Sequence, residues 1–203
     1  MKKTNLAEEQ LSNDGDFSIS VPYIVECELT GSCPILFHRW SNEDVEEKGK
    51  AAKGSKAKKT DNIEAYQYLN DKKELCIPTE AVRQAVIAAA KYQQDPRSPR
   101  KSACDLFKAG IISLSELASL GAKEPDFLDR RRVCIQRAGI TRVRPAMNAG
   151  WRASMLLQVL LPEYIVPDLL YRALTDAGRL VGVGDFRPSY GRFQVTKFEV
   201  QQN

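Results

Sequence analysis

The stretch LCIPTEAVRQAVIAAAKY, Leu75 to Tyr92, decides the fold. Its first residues have the pattern of a short strand that ends at Pro78, and its remainder has the pattern of a helix. Small apolar residues recur at the three- and four-residue spacing of one helix face, while Thr79 and Glu80 suit the helix start as a cap and a first-turn acid. We therefore predict a helix over residues 79–93 that packs one apolar face against a sheet.

A second helix is predicted over residues 166–178, because apolar residues again share one face and Gly178 is a suitable end. Alternating apolar and polar residues predict a long first strand over 17–31, bulged near Pro22. The same alternation predicts a last strand over 191–200. These elements lie on either side of the helices in the chain and are expected to pair in one sheet.

Two further strand-like runs, 131–147 and 151–164, are joined by the turn-forming residues 148–150 and are expected to form a hairpin. The resulting order of strand, helix, strand, strand, helix, strand is the ferredoxin-like (RRM-like) arrangement, an α+β fold with two helices on one face of an antiparallel sheet. We predict one such domain over 16–203 with long insertions, among them a basic, mobile loop at about 38–62. Residues 1–15 are expected to be a flexible tail.

The composition excludes several classes of protein. Of the 203 residues, 43% are hydrophobic and 28% are charged, and no apolar run approaches the roughly 20 residues of a membrane span. With no apolar N-terminal stretch, a cytoplasmic location without membrane contact is expected. Five irregularly spaced cysteines without a CxxC pair argue against a disulfide framework and a zinc site. We expect free thiols, no metal and no cofactor.

The charge distribution indicates a polyanionic partner. The net charge is +4, and the cations cluster in a lysine-rich run before residue 60 and an arginine-rich run after residue 129. Guanidinium and ammonium groups neutralise phosphates, and flat rings stack on bases. The candidate phosphate contacts are Arg39, Lys53, Lys56, Lys58, Lys59, Arg83, Arg137, Arg142, Arg144, Arg152, Arg187 and Arg192, and the candidate stacking rings are Phe37, Trp40, Phe186 and Tyr190. The alternative is that the arginines form surface ion pairs with the acidic stretches EDVEE and DFLD.

The stretch GVGDFRPSYGRF, Gly182 to Phe193, combines glycines, cations and rings in a loop before the last strand. Gly182 and Gly184 could let backbone N–H groups approach a phosphate, or they could only permit a tight turn. The glycines do not follow a strand and open a helix, so they are not a dinucleotide fingerprint. Without a GxxxxGK[ST] stretch, a nucleotide-hydrolysing P-loop is excluded as well.

Two motifs together resemble the RAMP superfamily of CRISPR systems. The strand, Ile77-Pro78 and helix start is similar to the run that opens the first helix in that superfamily, although Gln84 and Ala85 stand where a glycine is usual. The loop is similar to the superfamily's C-terminal glycine-rich loop, with matches at Gly182, Gly184, Gly191 and Arg192. The chain most resembles the backbone subunits of CRISPR effector complexes, or a phage- or plasmid-borne relative of them. The resemblance implies a ferredoxin-like domain that polymerises along a guide RNA, and it places Arg83 on the helix beside the RNA groove.

Three functions follow as hypotheses. The first is a non-catalytic subunit that binds single-stranded nucleic acid, RNA or DNA, and self-assembles along it. This hypothesis requires Arg83, Arg142, Arg144 and Arg187 to meet on one surface. The second is an anti-CRISPR-like protein that mimics a backbone subunit.

The third hypothesis is an endoribonuclease, metal-dependent or metal-independent. The weak catalytic candidates are His38, as a general acid or base, and Asp44 with its neighbour Glu43, because some relatives cut RNA with an acidic residue after the first strand. His38 stands between Phe37 and Trp40, a position in which an imidazole commonly just packs. Catalysis is therefore the less favoured hypothesis.

Overall fold

The computed structural model describes residues 21–50, 61–135 and 138–201, and for 44, 45, 47, 48, 133–135 and 138–140 it describes only the backbone. The strands are β1 Tyr23–Gly31, β2 Ile35–Leu36, β3 Cys76–Pro78, β4 Gln94–Asp95, β5 Ser98–Ser102, β6 Ile111–Ser113, β7 Leu117–Ser119, β8 Phe127–Ile135, β9 Ala138–Met147, β10 Arg152–Val159 and β11 Phe193–Gln201. The helices are α1 Asn42–Lys50, α2 Thr79–Ala89, α3 Cys104–Gly110 and α4 Pro167–Asp176. A 3-10 turn follows α2, and a π-helical turn, Ala177–Val181, follows α4.

The central sheet has four antiparallel strands in the order β11-β1-β10-β6. With α2 between β1 and β6, and α4 between β10 and β11, this is the β-α-β-β-α-β order of the ferredoxin-like fold. The predicted α+β, ferredoxin-like class is therefore confirmed. The predicted bulge is displaced, because β1 begins after Pro22 and its irregularity against β11 lies between Glu28 and Leu29.

The predicted central hairpin is wrong in its first strand, whereas its second run, 151–164, contains the central strand β10. The partner of β10 is the short strand β6, and the residues 127–147 form a separate hairpin, β8–β9, that pairs with β2 in a second sheet. Residues 148–150 thus connect two sheets, and the N–H of Gly150 donates to the carbonyl of Gly31 at 2.8 Å. The β8–β9 hairpin is an insertion into the ferredoxin-like domain, which a period-two pattern cannot distinguish from a central strand pair.

The core lies between the sheet and the two central helices. Every second residue of β1 is buried, and α2 and α4 bury the apolar faces that the sequence predicts. The Thr79 hydroxyl does not cap α2; it donates to the carbonyls of Ser115 and Glu116 and so ties the helix start to the segment before β7. Gly178 does not end α4, because the chain continues through the π-helical turn. Its missing side chain instead leaves room for Phe193 on β11, whose carbonyl oxygen would lie 2.2 Å from a Cβ.

The first part of the predicted mobile loop is helical, because α1 occupies residues 42–50. Several predicted features lie outside the described residues, namely Lys53, Lys56, Lys58, Lys59, Arg137 and the tail at 1–15.

Within the described ranges, no helix is long and apolar enough to cross a membrane. Four of the five cysteines, Cys27, Cys33, Cys76 and Cys104, are free thiols.

Candidate nucleic-acid interface

A cleft of about 270 Å³ lies between the start of α2, the chain that follows β2 and the glycine-rich loop 182–192. Strand β2 positions one wall, the Pro78 end of β3 positions the floor, and the loop closes the other side. The lining residues are Ile35, Leu36, Phe37, His38, Tyr68, Ile77, Pro78, Ala81, Gly184, Asp185 and Arg187. Two elements that the sequence singled out, the α2 start and the glycine-rich loop, are therefore neighbours in space.

The glycine-rich loop is held by its own backbone and by β2. The N–H of Val183 donates to the Gly191 carbonyl at 2.9 Å, and the N–H of Asp185 donates to the Leu36 carbonyl at 2.9 Å. Gly184 and Gly191 have φ of +79° and +71°, and a Cβ on Gly191 would lie 1.6 Å from the Val183 oxygen. These contacts favour the structural role of the glycines. Their approach to a phosphate stays a prediction.

Asp185 is the charged centre of the cleft wall. Its carboxylate lies 3.5 Å from Nδ1 of His38 and 2.5 Å from Nε of Arg144, and it accepts the N–H of Phe186 at 2.8 Å. His38 lowers the pKa of Asp185 most, burial opposes the shift, and Phe186 and Arg144 add to it, so that the pKa falls to about 2. Arg144 is 6% exposed, and its Nε lies beside the carboxylate without the geometry of a hydrogen bond. It neutralises Asp185 and does not point a free charge at a ligand.

Arg142 is also bound within the protein. Its Nη1 donates to Asp61 at 2.8 Å, and the Asp61 carboxylate accepts the Val143 N–H at 2.7 Å and the Tyr66 hydroxyl at 2.8 Å. Burial raises the pKa of Asp61, but these three hydrogen bonds outweigh burial and hold it below its usual value. The ion pair between Asp61 and Arg142 holds the segment that begins at Asp61 against the β8–β9 hairpin.

Arg131 holds the glycine-rich loop in place and was not among the site residues predicted from the sequence. Its guanidinium donates to Asp129 and, at 2.6 Å, to the hydroxyl of Tyr190, and it lies 4.7 Å from the Phe186 ring centre and 4.6 Å from that of Tyr190. Bonding to Asp129 and then to Tyr190 raises the pKa of Arg131. Two of the four rings predicted to stack on bases, Phe186 and Tyr190, therefore stack on Arg131. The sequence did contain one sign of this contact. Asp129 and Arg131 are two residues apart, which puts both side chains on the same face of a strand.

Arg83 is on α2, as predicted, but its guanidinium group is hydrogen-bonded to other residues of the protein. Its donors bond to the Ile111 carbonyl at 2.7 Å, the Lys108 carbonyl at 2.7 Å and the Glu80 carboxylate at 2.8 Å. The structure thus does not bring Arg83, Arg142, Arg144 and Arg187 together as free cations on one surface. The condition set for the first hypothesis is not met by these four residues, so RNA binding has to rest on the cations that stay free. The acidic partners are Asp61, Glu80, Asp129 and Asp185, of which only Asp129 belongs to the stretches proposed from the sequence.

The free cations lie along a groove made of two clefts that share Tyr68 and Pro78. The second cleft, of about 560 Å³, is lined by Arg39, Tyr68, Leu69, Pro78, Thr79, Glu80, Ser113, Ser115, Glu116 and Leu117. Arg39 is exposed and lies 5.9 Å from the Tyr68 ring centre. Arg187 is exposed, and no hydrogen bond or ion pair joins its side chain to another described residue. Arg187 thus lines the first cleft and Arg39 the second, and we call the two clefts together the Tyr68 groove.

The remaining candidates differ in accessibility. Phe37 is 3% exposed and is not available for stacking, whereas Trp40 is 74% exposed and donates to Asn42 at 2.8 Å. Arg192 is exposed and donates to the Pro188 carbonyl at 2.8 Å. Asp44 lies on α1, where its side chain is not described. Among the described residues, no group of three or more metal-binding side chains occurs.

The open face of the central sheet is a poor phosphate surface. It carries the carboxylates of Glu26, Glu28 and Glu199, with Lys197 bonded to Glu26 at 2.9 Å. Arg152 is exposed at the end of β10, opposite Thr30. Among the described residues of the four strands, no aromatic ring occupies this face. The Tyr68 groove, and not the open sheet face, is therefore the candidate interface.

Comparison with known proteins shows the fold. No family model matches the chain, and no curated protein matches it. It is similar to a chain in the cryo-EM structure of the type III-B Cmr-beta bound to cognate target RNA, with a TM-score of 0.52 and 13% sequence identity. The likeness covers 89% of this chain and 61% of that chain, so the present chain spans about three-fifths of its structural neighbour.

Proposed function

We propose that the chain is a non-catalytic subunit that binds single-stranded RNA in a cytoplasmic CRISPR-type effector complex of the RAMP superfamily and self-assembles along the strand. The observation that carries the proposal is the Tyr68 groove, which lies beside the α2 start and the glycine-rich loop in a fold similar to that of a chain from an RNA-bound complex. Those two segments are also the motifs that resemble the superfamily.

The groove offers what a single strand requires. Arg187 and Arg39 are exposed cations, one in each cleft, and Tyr68 supplies a ring where the two clefts meet. Base–aromatic stacking contributes about 1–3 kcal/mol per base and tolerates any sequence. Arg144 lies against Asp185 and neutralises it, so this carboxylate on the wall does not repel a phosphate. A strand would then pass with its phosphates near the arginines and one base on Tyr68.

Fluorescence anisotropy with a labelled RNA of about 30 nucleotides tests the proposal. We expect affinity to fall steeply with salt, because each neutralised phosphate of a single strand contributes about 0.7 to the logarithmic slope. Arg187→Ala and Arg39→Ala should each weaken binding about five- to tenfold and reduce that slope by about 0.7. The matched control is Arg172→Ala, which removes an exposed arginine of α4 that lines a different cleft.

Equal affinity at low and high salt would contradict the proposal, and so would an equal effect of the Arg172 and Arg187 variants. The same titration with DNA of matched sequence decides between RNA and DNA. If the protein purified from cells forms a stable protein complex that lacks nucleic acid, the interaction-protein hypothesis replaces this one.

A second candidate function, RNA cleavage, is favoured by the contact of His38 with Asp185 inside the groove. His38 would accept the proton of a ribose 2′-hydroxyl, whose oxygen attacks the adjacent phosphorus and expels the 5′-oxygen, which takes up a proton from solvent. Incubation of labelled RNA with and without EDTA tests this candidate. Intact RNA with the wild-type protein, or cleavage that persists in His38→Ala, removes this role of His38.

A further inference from the structure

The β8–β9 hairpin has one face that the protein uses and one that it leaves free. We call the first the inner face, which carries Asp129, Arg131, Arg142 and Arg144. The outer face carries Leu128, Arg130, Arg132 and Thr141, which are exposed, and also Val143, which is half-buried, and Pro145, which is buried. Leu128 is 49% exposed, and both outer arginines are exposed. Across the described parts of the chain, the side chains of Arg130 and Arg132 have no hydrogen bond and no ion pair.

A second surface carries an exposed ring and two exposed carboxylates, with Arg39 and Lys50 as exposed cations in the same segment. Trp40 is 74% exposed, and its indole is fixed by the hydrogen bond to Asn42 at the start of α1. Glu43 and Glu46 follow on α1, both exposed, and neither has an ion pair with any residue that the structure describes. We call this surface the acidic patch. It combines one large apolar side chain with two anions, as the outer face combines one apolar side chain with two cations.

The spacings of the two surfaces match. Arg130 and Arg132 are two residues apart on a strand, which separates them by about 6.6 Å. Glu43 and Glu46 are three residues apart on a helix, which places their Cβ atoms about 5–6 Å apart. Two arginines and two glutamates at these separations can form two ion pairs side by side, with Leu128 left to meet the indole of Trp40.

We propose that the outer face of the hairpin in one copy of this chain docks on the acidic patch of a second copy. The proposal deepens the self-assembly part of the proposed function, and it holds for the protein without RNA. The contact area is small, so the interface is expected to be weak and strongly salt-dependent. On an RNA strand, neighbouring copies are held close together, and even a weak contact then orders them.

Sedimentation velocity of nuclease-treated protein tests the proposal. We expect the wild type to self-associate at about 0.05 M salt and to dissociate at about 0.5 M salt. The variants Arg130→Glu/Arg132→Glu and Glu43→Arg/Glu46→Arg should each remain monomeric at low salt, because each brings like charges together. A mixture of the two variants should associate again, since the exchanged charges are complementary. Arg172→Glu is the control and should associate like the wild type.

Three outcomes would overturn the proposal: a wild type that is monomeric at low salt, a mixture that does not associate, or outer-face variants that associate normally. If the outer-face variant associates normally but loses RNA affinity, the outer face is an RNA surface instead. The RNA titration separates this result from failure of the proposed function, because that function requires RNA binding by the wild type and the interface test contains no RNA.

Discussion

The two faces of the β8–β9 hairpin are built from the same strands and nearly the same residue types, yet their arginines have opposite roles. On the inner face Arg131, Arg142 and Arg144 each meet an aspartate. On the outer face Arg130 and Arg132 are exposed without such a partner among the described residues. The difference arises from strand periodicity, which sends successive side chains to opposite sides.

The comparison teaches that a cluster of cations in a sequence does not define a binding surface. The inner arginines bind the hairpin to the glycine-rich loop and to Asp61, so carboxylates of the protein itself neutralise their charge. The free cations are those without an ion pair among the described residues, such as Arg187 and Arg39 in the Tyr68 groove. Each of the following measurements challenges or sharpens this division between the two faces.

The largest expected effect comes from Asp185→Ala. This change leaves Arg144, which is 6% exposed, without the carboxylate that neutralises it. Removing one partner of a buried ion pair costs about 3 kcal/mol. Urea denaturation should show this loss of unfolding free energy, whereas Glu124→Ala, at an exposed carboxylate, should stay within about 0.5 kcal/mol. Adding Arg144→Met to Asp185→Ala should recover part of the loss, and no recovery would contradict the buried-charge explanation.

An acid titration of stability should show the next largest effect. The pKa of Asp185 is lowered to about 2 in the folded protein, and that of Asp61 is lowered as well. A carboxyl with a lowered pKa stabilises the fold above its unfolded value of about 3.9, and this contribution is lost as the pH falls toward about 2. For Asp185 the contribution is roughly 2 kcal/mol.

Urea midpoints measured between about pH 5 and about pH 2 check this expectation. The wild type should lose more stability over this range than Asp185→Asn, because the variant has no carboxyl to protonate at this position. Equal losses in the two proteins would mean that the contact with Arg144 and His38 does not stabilise the fold.

A smaller effect is expected for Arg131→Lys. Lysine keeps the charge but loses the two-pronged contact with Asp129 and the stacking on Phe186 and Tyr190, at a cost of about 1.5 kcal/mol. Arg130→Lys makes the same change one residue away on the outer face and is expected to be neutral. Equal urea midpoints for the two variants would show that the two faces do not differ at this position.

The smallest effect on stability is expected on the outer face. Arg130→Ala and Arg132→Ala should each change the unfolding free energy by less than about 0.5 kcal/mol. Their effect should appear instead in sedimentation, where each should weaken self-association at low salt. A loss of stability above about 1 kcal/mol would place these side chains among the contacts that hold the fold.

Much of the fold could be predicted from local pattern. The apolar faces over residues 79–93 and 166–178, and the alternation in the first and last strands, indicated four of the six central elements. The predicted run 151–164 contains a fifth, β10, but its partner was wrongly assigned to residues 131–147, because that run alternates as well as a central strand does. Strand β6, with three residues, is too short to show a period.

The site could be predicted only in its segments. The glycine-rich loop and the start of α2 were both identified, and they do line one cleft. The roles of single residues within them could not be predicted, because Phe186 and Tyr190 depend on Arg131, which lies 55 and 59 positions away in the chain. Tyr68 had no local signal, since an isolated tyrosine between turn residues is compatible with many environments.

The sequence by itself determined the periodic elements, their order and the presence of a glycine-rich turn, because these depend on backbone preferences and on apolar spacing within about 15 residues. The tertiary structure alone decided which arginines are neutralised and which are free. That choice depends on which carboxylates approach within about 4 Å once the chain is folded. Asp61 precedes the hairpin in the chain and Asp185 follows it, and both contact it only after folding. A pattern of neighbouring residues in the sequence cannot show that these carboxylates approach the hairpin arginines.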